Sequence, residues 1–435
     1  MKYLSLNYKA KNVGFLDAVR NGLAPDRGLY FPSVIPTIKK NFIDNINKYS
    51  DKAIALHVIK HFVGSDIPKK ILEKIVDDTL NFDFPIVEIT DTIATLELFH
   101  GPTLAFKDVG ARFMARCLSY ANEIEKKKNL TVLVATSGDT GGAVADGFFN
   151  LEGIHVVILF PKGKVSDLQE RQLTTLGKNI TALEIDGTFD ECQEMVKSAF
   201  IDSELTAKID LTSANSINIA RWLSQMFYYF IAYKNRPNPH KNLVISVPSG
   251  NFGNICAGLM AKKMGLPIAH FIASTNINDT VPQYLETEKY NPKKSIQTIS
   301  NAMDVGNPSN FIRIQKIFDN NFKKMKQYLS GYSYTDNNTK SAIKEIYNHK
   351  KYISDPHGAV GFLGLKEFIE SQKDSMEYQG LFLETAHPIK FAEEVENILK
   401  IDIKVPRQLK DIWDRKKISF PLKEYEQLKS FLLSH

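Results

Sequence analysis

Four short segments of the 435-residue chain carry small, hydroxylated or cationic residues where helices begin. In LELFHGPTLAFKDVGARF, Lys107 stands between Phe106 and Asp108, at the start of a helical pattern (Val109, Phe113, Cys117). A helix N-terminus disfavours a cation, and apolar neighbours lower a lysine pKa. Together they would leave a neutral amine able to form a Schiff base. Pairing with Asp108, or snorkelling to solvent, would account for the position without chemistry. In VPSGNFGNICAGLM, Gly250 and Gly253 lack Cβ, so the chain can turn tightly and aim several N–H groups at one point. With Asn251, Phe252 and Asn254 they form a turn entering a helix, suited to phosphate; a turn without a ligand reads the same way. In TSGDTGGAVADGFF, Thr136, Ser137, Gly138 and Thr140 surround Asp139, and the hydroxyls and N–H groups suit a second anion, carboxylate or phosphate. In SANSINIARWL, Ser216, Asn218 and Arg221 fall near a helix start. Arginine clamps phosphate bidentately, while Ser216 could equally be an N-cap. A last cluster, LFLETAHPIKF, ends a short strand with Thr385, His387 and Pro388.

No dinucleotide GxGxxG and no GxxxxGK[ST] occurs, so these loops handle phosphate without a nucleotide signature. His57 and His61 are four apart on an expected helix, yet no Glu sits between them and no third ligand is apparent. A structural or surface role is expected for them, and no metal site. His100 and His387 fall inside the segments just named and are expected to line the site, with His357 equally a packing residue.

The elements that must hold these segments come next. Continuous apolar, β-branched runs at 131–135, 154–160, 180–185, 243–248 and 268–273 alternate with helical patterns. Such runs mean a parallel sheet buried on both faces, in an open α/β architecture whose ligands bind beyond the carboxyl ends of the strands. Residues 1–80 read as mostly helical, with turns at Gly22, Pro25, Gly28, Pro32 and Pro36. The polar run NRPNPH (235–240) divides the sheet region, giving expected units at 1–80, 81–235 and 236–435 with segments exchanged between them. Residues 291–350, rich in Asn, Lys and Ser, read as an irregular surface section. The tail from Phe391 reads as helical, interrupted at Pro406 and Pro421.

Bulk composition agrees: 43% hydrophobic and 24% charged residues suit a soluble globular protein with a sizeable core. The net charge of +6 is small for this length, and the lysines are scattered (Lys39 and Lys40, 126–128, Lys416 and Lys417). Nucleic acid is therefore not an expected partner, whereas anionic small molecules are. Cys117, Cys192 and Cys256 are odd in number and fit no metal or CxxC spacing, so reduced structural thiols are expected. The N-terminal MKYLSLNYKAKN has no apolar core of a signal peptide, and no run approaches the roughly 18 apolar residues of a membrane helix. A cytoplasmic protein without a membrane partner is expected.

In this order the segments resemble the threonine synthases of the longer bacterial and fungal type, within the fold type II pyridoxal-phosphate enzymes. The likeness runs through NGLAPDRGLYFPSVIP, FHGPTLAFKD, ATSGDTGGAVA, SANSINIAR, VPSGNFGN, TNINDTVP, SNAMDVGNPSN, SDPHGAVGF and ETAHPIKF. FHGPTLAFKD and SANSINIAR are specific to that family; GNFGN and SGDTG vary patterns common to all fold type II members. The resemblance implies two open, mostly parallel sheets flanked by helices, as in the tryptophan synthase β chain, with a helical N-terminal domain. It implies pyridoxal 5'-phosphate as cofactor and O-phospho-L-homoserine as substrate, converted with water to threonine and phosphate by γ-elimination and β-addition. Lys107 then resembles the lysine that binds the cofactor covalently, and Gly250, Asn251, Phe252, Gly253 and Asn254 the loop that holds its phosphate. Thr385 resembles the hydroxyl at the pyridine nitrogen, which implies a ring less firmly protonated than one facing a carboxylate. Thr136, Ser137, Asp139, Thr140, Ser216, Asn218 and Arg221 resemble the substrate site, with the contacts of Asp139 left open. A phospholyase releasing 2-oxobutyrate, or a silent binding relative, would share most of these residues. The oligomeric state expected is monomer or homodimer.

Overall fold

The computed structural model describes residues 1–125 and 129–434, so Lys126, Lys127 and Lys128 lie outside the described residues. The first 80 residues hold helices Phe15–Asn21, Lys40–Asp44, Asp51–Val63 and Lys69–Thr79, as the sequence suggests. They also hold a small antiparallel pair, β1 (Tyr3–Ser5) and β2 (Tyr30–Pro32), too short to show in the pattern.

Eleven strands follow: β3 (Ile86–Glu88), β4 (Ile93–Glu97), β5 (Leu130–Ala135), β6 (Ile154–Pro161), β7 (Ile180–Ile185), β8 (Asp210–Ser213), β9 (Asn242–Pro248), β10 (His270–Thr275), β11 (Leu329–Ser333), β12 (Tyr378–Glu384) and β13 (Phe420–Leu422). They form a six-stranded sheet, β11-β10-β9-β12-β4-β3, and a five-stranded sheet, β13-β7-β6-β5-β8. Every pairing in the two is parallel except that of β3 with β4. Val132, Val134, Val156, Ile158, Val244 and Ile245 are fully buried, because helices cover both faces, and this is why the central strands read as unbroken apolar runs.

Three differences from the sequence reading have physical causes. Strand β10 lies two residues later than the run at 268–273. Its register with β9 carries it through Ser274, whose hydroxyl is buried and lies 2.8 Å from that of Ser246. The two larger sheets do not divide at 235/236: β3 and β4, from 81–235, pair into the six-stranded sheet, and β13 from the tail, carrying Pro421, edges the five-stranded one. Residues 291–350 are not irregular throughout. They supply the edge strand β11 and helix Asp336–Lys350, whose sparse apolar residues Ala342, Ile343 and Ile346 are buried.

Candidate active site

Strands β5 and β9 each end in a tight loop that opens a helix, Asp139–Phe148 and Gly253–Lys263. Helix Lys107–Glu125 begins beside the first of these loops, with Lys107 Nζ facing Asp139. The segment before it is pinned to the exit of β12: Phe106 N–H donates to Thr385 O at 2.9 Å, and His387 N–H to Leu104 O at 3.0 Å. The Tyr228 hydroxyl donates to Phe106 O. Lys107 does not pair with Asp108. That carboxylate turns back to accept the Thr103 N–H at 2.9 Å and the Thr103 hydroxyl, and burial raises it to about 7. Only 16% of the Lys107 side chain is exposed, and its Nζ lies 3.9 Å from Asp139 Oδ2. Burial lowers the pKa of this amine most; Asp139 opposes, and Lys390 and Arg221 reinforce the lowering.

The loop after β5 is folded by Thr136. Its hydroxyl accepts from the N–H groups of Gly138 at 3.0 Å and Gly141 at 2.8 Å, and donates to Gly138 O. The expectation is that Thr136 meets substrate; in this structure its buried hydroxyl bonds the backbone of its own loop. The N–H groups of Ser137, Asp139 and Thr140, and the hydroxyls of Ser137 and Thr140, are left without partners among the described residues. Asp139 Oδ1 accepts from Lys390 Nζ at 2.8 Å and Gln169 Nε2 at 2.9 Å, while Oδ2 faces Lys107. Burial alone would raise this carboxyl, but Lys390, Lys107 and Gln169 hold it well below the usual carboxylate range.

The loop after β9 is shaped by contact. A Cβ on Gly250 would lie 2.8 Å from both Ala302 O and Met303 Cα, so only glycine fits beneath that segment. Phe252, at φ 60°, caps the following helix in a left-handed conformation that side chains rarely adopt. The backbone N–H groups of residues 250–255 donate to nothing among the described residues. Asn251 O accepts from Asn310 N–H at 3.2 Å and Nδ2 at 3.1 Å. Asn254 accepts the Tyr229 hydroxyl, and its Nδ2 is buried without a partner.

The SANSINIAR segment divides its labour. Asn218 is fully committed: Oδ1 caps helix Ile219–Leu223 through Ala220 N–H at 3.0 Å, and Nδ2 donates to Val19 O at 2.8 Å. Where a contact with substrate is expected, the side chain here serves as a cap. The Ser216 hydroxyl has no partner among the described residues, and Ser216 Cβ lies 4.0 Å from the Cβ position of Gly253. Arg221 is buried, donates to Ala214 O, and keeps Nε unpaired; burial lowers its pKa to about 10. Thr385 is 7% exposed, and its hydroxyl makes no hydrogen bond among the described residues.

Sequence reasoning passed over Lys390, Gln169 and Asn310. Lys390 had a faint signal, a lysine inside the apolar PIKF run; Gln169 and Asn310 had none. His387 is near the site and half-buried, and desolvation lowers it to about 4. His357 is more than packing: its Nε2 accepts Ala302 N–H at 3.2 Å and its Nδ1 lies 2.6 Å from Asp355 Oδ1, bracing the segment above Gly250. His57 stacks on Phe42, ring centres 3.8 Å apart.

A buried primary amine, six free N–H groups behind a glycine with no room for Cβ, and the orphaned Asn254 Nδ2 fit a phosphate ester bearing an aldehyde. Comparison with known proteins agrees. The profile of pyridoxal-phosphate dependent enzymes matches residues 90–376. Profiles of the threonine synthase N terminus and C-terminal region match residues 2–80 and 358–432. The chain is 43% identical over 437 residues to a threonine synthase of Escherichia coli strain K12, covering 100% of each. The crystal structure of threonine synthase from Escherichia coli superposes with a TM-score of 0.92 at 42% identity over 100% of both chains. A pyridoxal-phosphate-bound threonine synthase from Brucella melitensis gives 0.92 at 34% identity, covering 100% of this chain and 99% of that one.

Proposed function

The chain belongs to the threonine synthase family of pyridoxal-phosphate-dependent enzymes, and on that premise we propose that Lys107, the two free N–H loops and Arg221 are the working parts of its site. The fold is that of the fold type II enzymes, and the reaction converts O-phospho-L-homoserine and water into L-threonine and phosphate. When bound, pyridoxal phosphate supplies the electron sink that lets protons leave the substrate carbons.

The chain's own groups do the rest. Lys107 holds the cofactor through its amine. As a free amine, Lys107 would take the proton at Cα and serve the later proton transfers at Cβ and Cγ. The N–H groups of residues 250–255 and Asn254 Nδ2 receive the cofactor phosphate. The substrate brings two anions of unequal charge, and the site offers two unequal donor sets. The neutral set, Ser137, Thr140 and the Asp139 N–H, suits the carboxylate. Arg221 with Ser216 suits the phosphate that leaves from Cγ. Thr385 offers the cofactor ring a neutral hydroxyl. Thr136 and Asn218 act one step back, fixing the loops that carry these donors.

The observation that carries this reading is the buried Lys107 amine, 3.9 Å from Asp139 on a loop with unpaired N–H groups. An absorbance scan of the purified protein, then product analysis with O-phospho-L-homoserine, tests it. A visible band lost in Lys107→Ala, with threonine and phosphate in equal amounts and turnover down at least about 10²–10⁴-fold, is expected. Release of 2-oxobutyrate instead would make the chain a phospholyase, and a wild-type protein without the band would sink the assignment of Lys107.

A cytoplasmic setting and a monomer or homodimer complete the proposal, with small molecules rather than nucleic acid as partners. The three cysteines are free and buried, which suits a reducing compartment, and among the described residues no helix is long and apolar enough to cross a membrane.

A further inference from the structure

We propose that Lys390 is a positioning residue of this site: it is the standing counter-cation of Asp139, and it thereby leaves the Lys107 amine free to give up its proton. The inference rests on Lys107 being the lysine that carries the cofactor.

Lys390 lies in the short turn Pro388–Phe391 just past β12, and its side chain is completely buried. Its ammonium donates to Asp139 Oδ1 at 2.8 Å and to Thr103 O at 2.9 Å. The carboxylate therefore divides its two oxygens. Oδ1 is bonded to Lys390 and Gln169, and Oδ2 looks across 3.9 Å to Lys107. One lysine is at bonding distance with a second acceptor to hold it; the other stands off.

A buried carboxylate needs a charged or well-bonded partner. If Lys107 were the only cation beside Asp139, loss of its proton would strand that carboxylate, and Asp139 would hold the proton in place. The reaction needs the opposite, an amine that exchanges protons freely. Lys390 supplies the compensation permanently, and as a second cation it also disfavours charge on Lys107. The other charged groups facing Lys107 are Arg221, from helix Ile219–Leu223, which works with Lys390, and Asp355, capping helix Pro356–Glu370, which works with Asp139. Asp108 and His387 also face Lys390. Burial favours the neutral form of each, raising the first to about 7 and lowering the second to about 4. Neither can replace Asp139 as the partner of Lys390, since Asp108 is bonded to Thr103.

The test compares full-length wild type with Lys390→Arg, Lys390→Met, Asp139→Asn and the double variant. The first readout is the pH midpoint of the visible band in the holoenzyme. The second, in cofactor-free protein, is the pH dependence of Lys107 labelling by an amine-reactive reagent, read by peptide mass spectrometry. Lys390→Met should raise both midpoints by about one to three pH units, Asp139→Asn should lower them, and Lys390→Arg should stay near wild type. If Lys390→Met does not fold, the double variant has no unpaired buried carboxylate, and its midpoint should lie above that of Asp139→Asn. An unmoved or lowered midpoint on losing Lys390 in either background, or an Arg variant shifted as far as the Met variant, overturns the proposal. A wild-type protein with no band, or with its cofactor attached to another lysine, overturns the premise about Lys107 instead.

Discussion

The two loops that carry unpaired N–H groups are built by opposite means. Residues 250–255 offer only backbone N–H groups and one neutral amide, and their form comes from contact: Gly250 lies under Ala302 and Met303, and Asn310 clasps Asn251. Residues 136–140 are folded by a hydroxyl and rest on buried charge, Asp139 between Lys390 and Lys107. The occupant proposed for the first loop, the cofactor phosphate, would stay in place throughout the catalytic cycle, so a rigid, neutral cradle suffices. The second adjoins the place where protons move, so its charges must be balanced in every protonation state. A shape-built loop should fail when an atom is added, and a charge-built one when a proton or hydroxyl is taken away.

Gly250→Ala is the strongest way to break that contrast. Its Cβ would meet two backbone atoms at 2.8 Å, in a segment whose Ala302 N–H is tied to His357. Since neither neighbour is a flexible side-chain end, the loop must deform, and overpacking of this kind costs about 1–3 kcal/mol. Cofactor affinity should fall roughly 10–100-fold, measured by titrating cofactor-free protein with pyridoxal phosphate. Affinity within about threefold of wild type would mean that the loop is not held by shape.

Thr136→Val comes next. It keeps the volume and removes the acceptor shared by Gly138 and Gly141 N–H, and an unpaired buried donor costs about 1–3 kcal/mol. KM for O-phospho-L-homoserine should rise about tenfold, with cofactor affinity nearly unchanged. An equal loss of cofactor affinity would show that the loops are one unit and erase the comparison.

The sequence revealed these two loops for the same reason that they differ. Glycines where a strand meets a helix, and hydroxyls around a single aspartate, are local features, as are the apolar runs of β5, β6, β7 and β9. What stayed hidden depends on partners distant along the chain. Lys390 gains meaning only when β12 delivers it to Asp139. Strands β3, β4 and β13 are too short to declare which sheet they join. At Thr136 and Asn218 the residue type alone does not give the direction of the side chain. Each side chain can serve a ligand or a backbone, and packing by Val19 and Gly141 decides.

The smallest effect sharpens the contrast within the charged region itself, because Asp108 and Asp139 are both buried and carry opposite shifts. Asp139 has two lysines; Asp108 has the N–H and hydroxyl of Thr103, so burial dominates and its carboxyl sits at about 7. Unfolded, the same group titrates near roughly 3.9. The folded protein thus binds the proton more tightly, and the stability this provides is complete below the unfolded value and lost as pH rises through 7. Between pH 6 and 8 the loss amounts to about 1.4 kcal/mol, a Tm difference on the order of 1–2 °C for a chain this long. Asp108→Asn should remove that difference when thermal unfolding is compared at the two pH values. Asp139→Asn should leave it in place, since Asp139 stays ionised across the whole interval. Equal slopes in wild type and Asp108→Asn would mean that Asp108 is already charged in the folded protein. Some cation would then stabilise it as Lys390 stabilises Asp139, and the two aspartates would no longer be opposites.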